Sequence, residues 1–141
     1  MEKLSPAIEQ RTLESFARQR LMTLYGATVS GLAPGFMEIS VLPMEALLRT
    51  SGIFHGGVLA ALADTAAGYA AATMQPQDTS FLTVEFKINF LHTAKGEKLL
   101  ASGKVLKAGS TLTVCQADLY TVQQDVEKHV ATALVTLMKA R

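Results

Sequence analysis

The chain has 141 residues, of which 49% are hydrophobic and 18% charged, with a formal net charge of +1. That length fits one compact domain, so residues 1–141 are expected to form a single unit in which 1–22 is an N-terminal helical segment. The near-neutral balance argues against nucleic acid as a partner, and with Cys115 as the only cysteine no intrachain disulfide can form, which fits a reducing compartment.

The first twenty residues are too highly charged for a secretory leader, and the apolar run around Val58 is interrupted by Asp64. A cytoplasmic protein with no membrane association is therefore expected. In SPAIEQRTLESFARQRLM, Ser5 is a candidate N-cap, Pro6 falls in the first turn, and Ile8, Leu13, Phe16 and Leu21 recur near the helical period. This predicts one surface helix. TLYGATVSGLAPGFMEISVLP reads as a hairpin with its turn at Ala33-Pro34-Gly35 and with Met37, Ile39 and Val41 on one face. A loop, MEALLRTSG, leads into the alanine-rich segment IFHGGVLAALADTAAGYAAATM, which predicts a long buried helix.

Four strand-like runs follow: SFLTVEFKINFLHT, GEKLLASGKVLKAG, STLTVCQADLYTV and EKHVATALVTLMKA. They are separated by Lys95-Gly96-Glu97, Ala108-Gly109-Ser110 and Gln123-Gln124-Asp125. Turn residues at such short intervals predict an antiparallel meander. In the first run, strict alternation puts Val84, Phe86, Ile88 and Phe90 on the core face and Thr83, Glu85, Lys87 and Asn89 on the other. One long helix among about six antiparallel strands is an α+β layout in which a curved sheet must wrap the helix to bury it.

Asp64 poses the chemical question, because an unpartnered carboxylate is costly to bury among alanines. Thr65 and Tyr69 are its nearest polar neighbours in sequence. Asp64 reads either as a hydrogen-bonded structural residue at an interface or as a general base or nucleophile. At the start of the same helix, Gly56 and Gly57 after His55 would leave amides open to an incoming carbonyl oxygen, where free donors and the helix dipole stabilise an oxyanion. Asp64 lies about 10 Å further along the axis at 1.5 Å per residue. A carbonyl bound at that helix start is out of its reach, so a joint site needs two helices from two copies of the chain.

His55-Gly56-Gly57, the Asp nine residues after the His, and TVEFKINFLHTAKGEKLLASGKVLKAGSTLTV together resemble the hotdog-fold acyl-CoA thioesterases, most closely the phenylacetic-acid-degradation subfamily. The resemblance runs from about Gly35 to the C-terminus. It implies a hotdog fold, homodimers joined edge to edge and often paired into tetramers, and an active site at each interface. It further implies that the Gly56 amide polarises the thioester carbonyl while Asp64 of the opposing subunit activates water or attacks, with Thr83 assisting and His55 orienting the loop or touching the thioester. Arg49 stands where the family often has Asn or Gln, and His92-Thr93 replace an Arg-Pro pair. Arg49, His92, Lys107, Gly109 and Ser110 are candidates for contact with CoA, as are Lys95 and Lys104 as point charges. Gly57 is a further candidate for substrate contact, and Val58, Leu59, Leu62 and Phe81 are candidates for lining an acyl pocket, with core packing as the alternative use for most of them. The implied reaction is hydrolysis of acyl-CoA to a free acid and CoA, with no cofactor and no metal. A non-catalytic acyl-CoA binder or sensor on the same fold is the alternative.

Overall fold

A computed structural model describes residues 2–140. Helices α1 (Pro6–Ala17) and α2 (Arg20–Leu24) precede the hairpin of β1 (Thr28–Ala33) and β2 (Phe36–Val41), a short 3-10 turn at Glu45–Leu47, and helix α3 (Gly56–Thr73). Strands β3 (Phe81–Phe90), β4 (Lys98–Ala108), β5 (Leu112–Gln123) and β6 (Val126–Lys139) complete one antiparallel sheet of order β1-β2-β4-β5-β6-β3. The α+β architecture expected from the sequence is therefore present, with β1 and β3 as the free edges. Among the described residues no helix is long and apolar enough to cross a membrane.

The sheet wraps α3, whose Leu59, Leu62, Ala63, Ala66, Ala67, Ala70 and Ala71 are all buried. Small side chains let the sheet approach closely, and the closest approach is at Gly103 of β4. A Cβ there would sit 2.5 Å from the carbonyl carbon and oxygen of Ala66 and 2.7 Å from the Ala67 nitrogen. Backbone thus lies on backbone at this point. Met37, Ile39 and Val41 from β2, Leu99 and Ala101 from β4, Cys115, Ala117 and Leu119 from β5, and Val135 and Leu137 from β6 close the same core around it.

The N-terminal segment departs from the single helix expected over residues 5–22. Ser5 caps α1 by accepting from the Ile8 amide at 3.3 Å, but the helix ends at Ala17 and a second begins at Arg20. In one continuous helix Met22 would lie about 240° around the axis from Phe16. The break turns both inward, to 2% and 7% exposure, and leaves Leu13 and Leu21 outside. The β5–β6 turn is built from two non-glycine residues with positive φ, Gln124 (50°) and Asp125 (63°), the handedness a two-residue hairpin needs.

The alternation expected in β3 is broken by a bulge at Val84. Thr83 pairs with Leu137 and Glu85 with Thr136, so the extra residue puts Thr83 on the same side as Phe86, Ile88 and Phe90. The face expected to be core is also largely uncovered: Val84 and Phe90 are 54% and 55% exposed, and Leu82 is exposed as well. An edge strand with this much apolar surface is a ready template for another strand.

Two outcomes follow. Gly103→Ala overpacks the helix–sheet contact and should lower unfolding free energy by about 1–3 kcal/mol in chemical denaturation. Cys115 is fully buried, with its thiol directed at the Ala67 carbonyl at 3.5 Å, and burial pushes its pKa up from 9.0 to about 12. The folded state thus favours the protonated thiol. Cys115 should resist thiol reagents in the native protein at about pH 8 and react on unfolding, and its contribution to stability should be lost as pH rises from the unfolded value toward the folded one.

Candidate active site

The start of α3 is held by main-chain bonds. The His55 amide donates to Leu47 O at 3.1 Å, Phe54 donates to Ala94 O at 2.9 Å, and the His55 carbonyl accepts from Val58 and Leu59. Gly56 and Gly57 have no carbonyl one turn earlier to receive their amides, so these N–H groups form the donor-rich end of an 18-residue helix. A Cβ on Gly57 would meet nothing within 4 Å, and the nearest atoms to one on Gly56 would be those of the Phe90 ring, from 3.2 Å. The His55 side chain is exposed and makes no cap bond, and the bonds His55 forms at this turn come from its main chain.

Asp64 is partly buried two turns further on. Its partner is neither Thr65 nor Tyr69: Thr83 Oγ1 donates to Asp64 Oδ1 at 2.5 Å. The Val84 bulge makes this bond possible by turning Thr83 toward the helix. Among the described residues the second carboxyl oxygen of Asp64 accepts no hydrogen bond.

Gly56 and Asp64 open into different cavities. The larger, about 520 Å³, is lined by Arg49, Phe54, Gly56, Leu59, Phe90 and His92. The other, about 240 Å³, contains Asp64, Thr83 and Phe81 together with Gly68, Tyr69, Arg11 and Ser15. The separation deduced from the helical rise is thus a separation into two pockets of one protomer. Arg49 and His92, expected near CoA, share the Gly56 cavity, and Phe81 shares the Asp64 cavity.

Other expected residues lie elsewhere. Val58 is 7% exposed in the core cluster and lines neither cavity. Lys107, Gly109 and Ser110 lie at the β4–β5 hairpin, which β6 joins to the Phe81 end of β3, and they line neither cavity. A Cβ on Gly109 would stand 2.6 Å from Leu112 O, so this glycine is required by the turn itself. Among the described residues no group of His, Cys, Asp or Glu could hold a metal ion.

Sequence reading missed the part played by α1. Arg11 donates to three carbonyls at the end of α3: Ala72 O at 3.1 Å, Gln75 O at 2.5 Å and Pro76 O at 3.2 Å. Ser15 Oγ and Tyr69 Oη are 2.9 Å apart, and the Phe16 and Tyr69 rings meet edge to face at 5.7 Å. These contacts fasten α1 over the cavity that holds Asp64. No local pattern announces them, since Arg11 and Ser15 look like ordinary residues of a solvated helix.

The sequence model of the family described as the thioesterase superfamily matches residues 51–128. A crystal structure of a thioesterase family protein from Silicibacter pomeroyi is 39% identical, with a TM-score of 0.90 over 94% of this chain and 97% of that one. The Escherichia coli PaaI protein, from the phenylacetic acid degradation operon, shares the fold at a TM-score of 0.85 and 22% identity, over 99% of this chain and 97% of that one. The medium/long-chain acyl-CoA thioesterase YigI of Escherichia coli is 27% identical over 109 residues, 68% of each chain.

Arg11→Ala removes a charged donor from carbonyls at the negative end of α3. It should cost about 2 kcal/mol in denaturation, the scale of hydrogen bonding to a charged group.

Proposed function

This chain belongs to the thioesterase superfamily, and from that premise we propose an acyl-CoA hydrolase whose active site is completed by two copies of the chain. One protomer offers the Gly56 amide at the start of α3 to the thioester oxygen. Its partner offers Asp64, held by Thr83, to the carbonyl carbon or to a water beside it. The observation that carries this reading is the division of the two groups between separate cavities of one protomer.

β3 supplies the joint. It is an edge strand with exposed Leu82, Val84, Phe86 and Phe90, and it carries Thr83 near its start and Phe90, which faces Gly56, at its end. Two such edges paired antiparallel bring the start of one β3 beside the end of the other. Asp64 and Thr83 of one protomer then approach Gly56 of its partner, twice per dimer, and the exposed apolar edge is covered.

Attack on the thioester places negative charge on the carbonyl oxygen. The amide donors and helix dipole act there, and they strengthen as charge develops. Asp64 either takes a proton from the attacking water or adds to the carbon itself to give an anhydride that water then opens. In both routes the carbon–sulfur bond breaks, the CoA thiolate leaves, and the products are a free carboxylic acid and CoA. Arg49 and His92, beside Gly56, are suited to meet the CoA portion, Arg49 through its planar donors. Kinship with the phenylacetic-acid-degradation subfamily and a cytoplasmic setting belong to the same reading.

Thiol release from a panel of acyl-CoAs tests it. Asp64→Asn should lower turnover by about 100- to 10,000-fold, the range of a lost general base, while binding of a non-hydrolysable acyl-CoA thioether persists. Thr83→Val should cost about 10- to 100-fold, the value of one hydrogen bond to a charged group. Tight binding by wild type with no thiol released would identify a non-catalytic acyl-CoA binder instead.

A further inference from the structure

We propose that Gly68 and the Ser15–Tyr69 pair form an acyl subsite that admits compact acyl groups and stops long chains. The inference rests on the hydrolase reading above and concerns the cavity beside Asp64.

Gly68 lies in the interior of α3, where glycine weakens a helix relative to alanine. Packing does not require it: a Cβ there would meet nothing within 4 Å, whereas at Gly103 it would collide with the α3 backbone. The space Gly68 leaves is part of the cavity. Asp64, Gly68 and Ala72 stand four residues apart on one face of the helix, rising about 6 Å at each step, and all three line that cavity. They make a floor of small residues leading away from the carboxylate.

The floor has an end. Tyr69 is fixed by Ser15 at 2.9 Å and by the Phe16 ring, and Arg11 ties the same helix to Ala72 O and Gln75 O. An acyl group whose carbonyl lies at Asp64 therefore crosses Gly68 and meets Tyr69 after about 7.5 Å of helical rise. At about 240 Å³ the space is below the roughly 300 Å³ at which pockets for drug-sized ligands begin. Tyr69 lies within residues 51–128, but Ser15 and Phe16, which fix it, lie on α1, a part of the chain that the family match does not include.

The test compares wild type, Gly68→Val and Tyr69→Ala on acetyl-, hexanoyl- and decanoyl-CoA, with the affinities of the matching thioethers measured by calorimetry and folding checked by circular dichroism. Gly68→Val should lower the hexanoyl-to-acetyl ratio of kcat/KM by about tenfold or more, and Tyr69→Ala should raise the decanoyl-to-acetyl ratio by about tenfold, the scale of one methylene accepted or refused. Gly68→Ala keeps the test open if the valine variant does not fold, since it strengthens the helix and should move the hexanoyl ratio the same way. Ratios unchanged in both kinetics and affinity would overturn the subsite while leaving the hydrolase intact. Thioether ratios that shift as expected without turnover in wild type would sink the hydrolase and leave the subsite standing. Wild type that neither binds nor hydrolyses would overturn both.

Discussion

The contact between Gly103 and the backbone of Ala66 and Ala67 is the constraint on which the rest of the structure depends. It brings β4 against the middle of α3 with no side chain between them, so the sheet must curve around a thin alanine cylinder. A close contact at mid-helix also fixes both ends of α3. One end presents the Gly56 amide beside Phe90 with the Gly57 amide next to it in the chain, and Asp64, along the same axis, presents a carboxylate beside Thr83. The placing of both groups is therefore set by a packing contact that touches neither of them.

A straight helix cannot bring its own first-turn donors to a group two turns along its side. Within one protomer this geometry is unproductive, and the two groups duly open into separate cavities. The proposed pairing of β3 edges answers this, because the edge is apolar, unpaired on one side, and carries Thr83, bonded to Asp64, near one end and Phe90, beside Gly56, at the other. In the proposed dimer, association and catalysis would draw on the same strand: covering its apolar face would bring unlike half-sites together.

Much of this was legible in the sequence, for physical reasons that differ from element to element. The alanine run and the paired glycines mark α3, and turn residues at short spacing mark the meander, because helix propensity and turn geometry are local properties. Asp64 stands out because a carboxylate among alanines needs a reason. The Val84 bulge was hidden: strict alternation sends Thr83 away from the helix, and only pairing with β6 shows the extra residue that turns it back. The division between α1 and α2, which buries both Phe16 and Met22, was hidden too, as were the bonds of Arg11 and Ser15 to α3. These are products of tertiary packing between segments more than fifty residues apart in the chain. For Val58 the sequence leaves pocket lining and core packing both open, because an apolar side chain near the site looks the same in sequence whether it faces a ligand or the core.

The central claim is that one protomer supplies the amide and the other the carboxylate, and mixed dimers test it most directly. Gly56→Pro deletes the amide hydrogen at the first helical position, which proline tolerates, next to a His55 already extended at ψ 141°. Asp64→Asn removes the carboxylate. Each variant alone should be inactive. Unfolded together in equal amounts and refolded, they should recover about a quarter of wild-type activity, since half of the dimers are mixed and each mixed dimer rebuilds one of its two sites. Recovery no greater than the sum of the separate variants would contradict the account and return both groups to a single chain.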